Sequence, residues 1–295
     1  MKVALFAYSS VGARVLRALP RLGMDVAAVF THPDDPHEPP WFDSVAALAR
    51  EAGIPVHEVP ASSPRGSAAC ERTVSLLGPD LILSAYFRAL IPSAVLAIPR
   101  RGALNLHGSL LPRYRGRCPV NWVLVHGERE TGMTLHHMTA EPDAGDIVGQ
   151  VRIGIGPDET APELQGRLDD AAVEVLERCL PRIADGTAPR TPQDPARASC
   201  FGRRRPGDGR FEWSWPARRI HDLVRAVTRP YPGARVEGAR GRTMVWRTRV
   251  VDAWSGSIPE PGEIIRAPGF EGPVAGTGDG LLELLDYTEE PKSST

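Results

Sequence analysis

The chain has 295 residues, with 35 basic and 36 acidic side chains and 42% apolar residues. That length holds one large domain or two modest ones, and the ordinary apolar and charged fractions exclude a disordered or collagen-like chain. A net charge of −1 argues against a surface built wholly for nucleic acid or anionic membrane.

Residues 3–8 form a continuous apolar run ending at Ser9-Ser10, and Val11–Leu22 carries apolar residues at helical spacing before Gly23. Residues 25–31 read as a second buried strand and Ser44–Ala52 as a second helix. Ile54–Val56 and Leu81–Ser84 are the next strands, with a weak helix near 68–77 between them, and Gly102–His107 is a fifth. Apolar strands alternating with helical patterns predict parallel βαβ units, hence a doubly wound, mostly parallel α/β sheet.

Thr134–Met138 and Ile147–Ile155 then read as strands, and Ala161–Ile183 as a long helix with apolar positions stepping by three and four. Asp185–Ser199, rich in prolines and small residues, reads as a linker. Beyond it, segments 211–215, 234–236, 243–251 and 281–286, with one helix near 216–227, predict a small β-rich domain. The expected division is 1–185, a linker over 186–199, and 200–295.

Cys70, Cys118, Cys179 and Cys200 lie far apart, none at CxxC spacing, so neither a zinc site nor another metal is expected. Met1-Lys2 leads into an apolar run too short for a signal peptide, and no stretch reaches the roughly 18 apolar residues of a membrane span. Free thiols in a cytoplasmic protein are the expectation. The only lysines are Lys2 and Lys292, and the arginine excess reads chiefly as codon bias of a G+C-rich genome. The first strand–helix turn, Ala7 to Ala13, holds one glycine where the dinucleotide fingerprint needs three, so NAD is not expected. P-loop, HExxH and GxSxG motifs are absent.

Ligands of open α/β sheets bind beyond the carboxyl ends of the strands. There, Asn105 and His107 share one side of the fifth strand, because side chains alternate along it. A lone buried Asn or His is ordinarily a satisfied core residue; two on one face, followed by Gly108 to Gly116, point to chemistry. Asp143, in the loop Glu141–Asp146, adds a carboxylate. Amide donor, imidazole and carboxylate together suit acyl transfer.

Asn105-x-His107-x-Ser109-Leu110-Leu111-Pro112, Tyr114-Arg115-Gly116 and the later Asp143 resemble the signature of the formyltransferases that use 10-formyltetrahydrofolate. Supporting runs are Ala28–His32, Asn121–Val125 with Gly127-Glu128, Cys200–Arg204, Val224–Val227 and Tyr231–Ala234. The nearest form is similar to the formyltransferase half of a bifunctional polymyxin-resistance enzyme acting on UDP-4-amino-4-deoxy-L-arabinose. In that enzyme an NAD-dependent decarboxylase follows; whether this chain stands alone or is a fragment stays open.

The resemblance implies a Rossmann-like core with an OB-like second domain. Asn105 would hold the oxyanion, His107 would stabilise it or relay a proton, and Asp143 would orient His107 and help deprotonate the amine. Tyr86, Phe87, Arg88, Leu90 and Ile91 occupy the place of the folate pocket. Ser109, Arg115, Gly116, Arg203, Arg204, Tyr231 and Pro232 are substrate candidates, with arginine pairing to a pyrophosphate.

Methionyl-tRNA and hydroxyornithine remain alternative acceptors, and a silent sugar-nucleotide or folate binder is the non-enzyme reading. The nine arginines between Arg203 and Arg235 stand against Asp208, Glu212 and Asp222, a local +6 that could face tRNA phosphates. The loop Thr31–Asp43, with four carboxylates and no Lys or Arg, opposes that reading. Homo-oligomerisation is left open.

Overall fold

The computed structural model describes residues 1–34, 41–59, 68–238 and 241–291. Residues 35–40 of the carboxylate-rich loop, and Lys292, lie outside them. In chain order the elements are β1 (Lys2–Ala7), α1 (Ser9–Ala18), β2 (Asp25–Thr31), α2 (Val45–Glu51), β3 (Val56–Glu58), α3 (Ala68–Leu77) and β4 (Leu81–Ala85). Then come α4 (Ser93–Leu96), β5 (Ala103–His107), β6 (Arg115–Gly116), α5 (Pro119–Val125), β7 (Glu130–His137), β8 (Ile147–Gly154) and α6 (Ala161–Asp185). The remainder comprises β9 (Cys200–Phe201), α7 (Ala217–Val227), β10 (Ala234–Gly238), β11 (Gly241–Val250), β12 (Ile264–Ile265), β13 (Val274–Thr277) and β14 (Gly280–Pro291).

The chain forms two compact units, and neither is one consecutive stretch. The first comprises Met1–Gly116, Glu130–Ile153 and Gly166–Phe201; the second comprises Arg117–Arg129, Gly154–Gln165 and the chain from Gly202 onward.

The first unit is built on a seven-stranded sheet in the order β3-β2-β1-β4-β5-β7-β8. Every pairing from β3 to β5 is parallel, and β7 runs antiparallel to β5. The expected doubly wound, mostly parallel sheet is therefore present. β1 lies inside the sheet between β2 and β4, with Leu5 opposite Val29 on one side and Leu83 on the other. Leu5, Phe6, Ile82, Leu83, Leu104 and Leu106 are almost fully buried, as strands covered on both faces require. α6 lies so close to β8 that a Cβ on Gly149 would fall 2.5 Å from the Cys179 sulfur.

Several boundaries moved for local reasons. β3 begins at Val56 rather than Ile54 because the Ile54 N–H closes back on Ala49 O, 2.8 Å away, at the end of α2. α1 stops at Ala18, before Pro20, and the chain turns at Gly23 with φ +73°. Ser44 caps α2 by accepting the Ala47 N–H at 3.1 Å.

The second unit holds a five-stranded antiparallel sheet, β10-β11-β14-β13-β12, and α7. α7 buries Ile220, Leu223, Val224 and Val227 along one stripe. Residues 211–215 are not a strand. The Phe211 N–H pairs with Arg235 O at 2.9 Å, then Trp215 N–H turns back to Glu212 O, and Phe211 buries its ring against the edge of Trp213. The apolar alternation there marks an aromatic anchor rather than a β ladder. The four cysteines are free thiols. No helix among the described residues is long and apolar enough to cross a membrane.

Candidate active site

The carboxyl end of β5 delivers Asn105 and His107 to one place, as the strand period requires. The antiparallel register sets His136 of β7 opposite Asn105, and Thr134 opposite His107. Asp143 arrives from the loop between β7 and β8. Its Oδ1 lies 3.5 Å from each of three groups: the Asn105 amide nitrogen, His107 Nδ1 and His136 Nε2. Its Oδ2 accepts the Gly116 N–H at 2.9 Å. The three residues expected to act together therefore converge on one carboxylate.

The imidazoles are oriented by their second nitrogens. His107 Nε2 is 2.7 Å from the Tyr114 carbonyl, which only accepts, so Nε2 carries the proton and Nδ1 offers its lone pair toward Asp143. His136 Nδ1 is 2.9 Å from the His137 carbonyl, so its Nε2 accepts the Asn105 amide at 3.1 Å. That contact fixes Asn105 with its amide nitrogen toward the cluster. His136 had no sequence signal of its own; it becomes legible only once the β5/β7 register is known.

Burial pushes the His107 imidazole below its ordinary value, the Asp143 charge opposing that, so its neutral form is favoured. For Asp143, burial by itself raises the carboxyl, but attraction to the charge that the His107 and His136 rings carry when protonated, together with the Gly116 N–H, outweighs it. They hold it well below the usual carboxylate range, and it is ionised at neutral pH.

The loop backbone is tightly specified. Tyr114 and Asp143 adopt left-handed conformations, φ +60° and +56°, which surroundings must hold in place. A Cβ on Gly116, at φ +95°, would fall 2.3 Å from Phe201 O, and one on Gly145 would fall 2.0 Å from His137 O. Ser109 is fully buried; its hydroxyl donates to Arg113 O at 2.7 Å, and its carbonyl accepts from the Thr134 hydroxyl at 2.6 Å. It braces the loop. The Arg115 Nε and Nη2 both donate to Gln193 Oε1, at 3.1 and 2.8 Å, and Nη1 lies 3.6 Å from Glu141.

The loop after β4 carries Tyr86, Phe87, Arg88, Leu90 and Ile91. Tyr86 is left-handed at φ +56°, and its hydroxyl sits against Gly108, where a Cβ would fall 2.1 Å away. Gly108 thus admits a ring that ties this loop to the residue after His107. Phe87 stacks on His32 at 4.3 Å, and the Arg88 guanidinium lies over Tyr8 at 4.4 Å. Buried His32 bridges two loops, its Nδ1 donating to Val59 O at 2.6 Å and its Nε2 accepting the Arg88 N–H at 3.0 Å. Leu90 is 53% exposed beside buried Ile91, one of three large apolar side chains exposed among the described residues.

The remaining candidates belong to the second unit. The Arg204 guanidinium stacks over Trp122 at 4.7 Å and donates to Asp208 O at 2.8 Å, while Trp122 Nε1 donates to Gly202 O. Arg203 and Pro232 are exposed and Tyr231 is half-buried. The +6 stretch is largely occupied internally. Arg218 donates to Pro157 O, Arg219 stacks on Trp215, Arg225 pairs with Asp222, Arg229 pairs with Asp286, and Arg235 donates to Pro206 O. Among the described residues, no group of three or more His, Cys, Asp or Glu is arranged to hold a metal ion.

Comparison with known proteins gives the family of the chain. The sequence model of the formyl transferase family matches residues 1–180, and that of the formyl transferase C-terminal domain matches 204–294. The chain belongs to the formyl transferase family, and it is a formyltransferase.

Similar solved structures extend over the whole chain. An N-formyltransferase from Helicobacter canadensis, in complex with folinic acid and dTDP-3-aminofucose, is 18% identical with a TM-score of 0.74, covering 96% of this chain and 99% of that one. WlaRD, a sugar 3N-formyl transferase with dTDP and 5-N-formyl-THF, is 16% identical with a TM-score of 0.70, covering 100% and 99%. HypX from Aquifex aeolicus, in complex with tetrahydrofolic acid, is 18% identical with a TM-score of 0.67, and the match covers 99% of this chain but 45% of HypX. At these identities the likeness is one of fold.

Proposed function

We propose that the protein moves a formyl group from 10-formyltetrahydrofolate to the amine of a nucleotide-linked amino sugar. The observation that carries this reading is the convergence of the Asn105 amide, the His107 Nδ1 lone pair and the ionised Asp143 within 3.5 Å. The formyl folate supplies an activated one-carbon acyl group; residues 86–91 offer it an apolar lining in Leu90 and Ile91 and the Tyr86 ring.

The chain's own groups have separate tasks. Asn105, held by His136, donates an amide N–H to the oxygen on which negative charge develops. His107 receives the proton of the attacking amine at Nδ1, the nitrogen left open by the Tyr114 bond. Asp143 stabilises the imidazolium so formed and keeps the ring aimed. Overall the amine nitrogen gains a bond to the formyl carbon, the bond from that carbon to the folate nitrogen breaks, and the amine proton ends on that nitrogen.

For the acceptor, Arg203 and Arg204 are assigned to the phosphates, with Tyr231 and Pro232 shaping the sugar-nucleotide end. The internal engagement of most arginines in the +6 stretch weighs against a tRNA-binding face. At its finest the reading names UDP-4-amino-4-deoxy-L-arabinose; dTDP-linked amino sugars are the nearest competitors, since one similar structure holds dTDP-3-aminofucose and another dTDP. The test is release of tetrahydrofolate across UDP- and dTDP-linked 3- and 4-amino sugars, with methionyl-tRNA and hydroxyornithine as controls. Turnover with a nucleotide sugar is expected; turnover with methionyl-tRNA alone overturns the reading.

A further inference from the structure

Gln193 lies in the stretch that reads as a linker, yet its side chain is the most fully engaged amide near the site. Its backbone is pinned on both sides. Ile147 and Thr191 exchange two backbone hydrogen bonds, at 2.8 and 3.0 Å, and Asp194 caps the short turn Pro195–Arg197.

All four hydrogen-bonding positions of the amide are used. Oε1 accepts from Arg115 Nε and Nη2, and Nε2 donates to the Asp143 and Gly145 carbonyls at 2.8 Å each. The arrangement allows one orientation only. Flipped, the amide would set its N–H groups against a guanidinium and its oxygen against two carbonyls. One side chain therefore grips the backbone of the catalytic carboxylate and, through Arg115, the strand whose next N–H, that of Gly116, binds the same carboxylate.

The grip falls where the backbone needs it. Asp143 is left-handed, and Gly145 is packed where no Cβ fits. Such conformations persist only when neighbours over-determine them. Asp143 Oδ1 also lies 3.5 Å from His107 Nδ1, beyond hydrogen-bond range in the resting state, so the position of this loop decides whether the carboxylate can close on the ring once Nδ1 is protonated. We propose that Gln193 is a positioning residue for formyl transfer, setting the Asp143 loop and the Arg115-Gly116 strand so that one carboxylate faces Asn105, His107 and His136. This inference rests on the reaction proposed above.

Two substitutions separate the ties. Gln193→Ala removes all four bonds. Gln193→Glu keeps the acceptor toward Arg115 but places oxygen against the Asp143 and Gly145 carbonyls. Each variant is measured for kcat, KM, Tm and the NMR titration of the His107 imidazole in the substrate-free protein.

Both are expected to lose roughly 10- to 100-fold in kcat with KM for the folate little changed, as for other groups that orient a reacting residue. The His107 titration should move to lower pH in Gln193→Ala, because the Asp143 charge that opposes the effect of burial has shifted away; in Gln193→Glu the added carboxylate charge works in the other direction, so that variant is read by kcat. Wild-type kcat in Gln193→Glu overturns the proposal. So does an unmoved His107 titration in Gln193→Ala, or failure of both variants to fold, since Gln193 would then serve structure alone. A wild-type protein that transfers formyl to no acceptor would sink the proposed function instead, and the titration shift would survive it.

Discussion

Each unit buries a histidine beside an aspartate, and the two pairs are wired in opposite ways. In the second unit, His221 has both ring nitrogens engaged: Nδ1 with the Thr248 hydroxyl at 3.0 Å and Nε2 with Pro157 O at 3.1 Å. Its aspartate, Asp158, is 3.3 Å away with 58% of its side chain exposed. In the first unit, only Nε2 of His107 is engaged, and Nδ1 faces Asp143, whose side chain is 13% exposed. A histidine with two satisfied nitrogens fastens segments together. One with an open lone pair opposite a desolvated anion is set up to move a proton. Burial alone does not distinguish them; both are nearly inaccessible.

The largest effects should come from the open pair. His107→Ala, Asp143→Asn and Asn105→Ala should each cost roughly 10²–10³ or more in kcat while Tm stays near wild type. A full-rate His107→Ala enzyme would end the comparison. His221→Ala should do the reverse. It strands the Thr248 hydroxyl and the Pro157 carbonyl, so denaturant unfolding should show a loss of about 1–3 kcal/mol with kcat of the folded fraction preserved.

His32 resembles His221 in wiring but serves the proposed folate loop. Replacing it with Ala removes the acceptor for the Arg88 N–H, worth ~1 kcal/mol. KM for the formyl folate should rise roughly fivefold, more than kcat falls. Unchanged folate binding would reduce His32 to a core residue.

The smallest effect is graded rather than abrupt. Burial holds His32, His107 and His221 below the ordinary 6.5, so near and below that value the unfolded chain binds more protons than the folded one. Stability is then full above pH 6.5 and declines as pH falls through the lowered values. The kcat/KM profile should fall on its acid side, with a midpoint below 6.5, for a related reason, protonation of His107 Nδ1. A limb above pH 7 would contradict the burial of that ring.

Much of this was readable from sequence because it depends on short-range rules. Near-continuous apolar runs placed β1, β2, β4 and β5, the three-four step placed α6, and the period-two alternation put Asn105 and His107 on one face. What escaped depends on pairing between distant segments. Two-residue strands such as β6 and β9 carry no periodicity, and the aromatic alternation at 211–215 imitates a strand while serving as an anchor.

By itself, then, the sequence determined the α/β order and two of the polar groups at the end of β5, because apolar period and strand alternation are local. Only the tertiary structure decided that His136 fixes Asn105, that Tyr114 sets the His107 tautomer, and that Gln193 joins Asp143 to Arg115. Hydrogen bonds formed across 7 to 78 residues of chain are set by strand register and loop closure. No spacing of residue types records either of those.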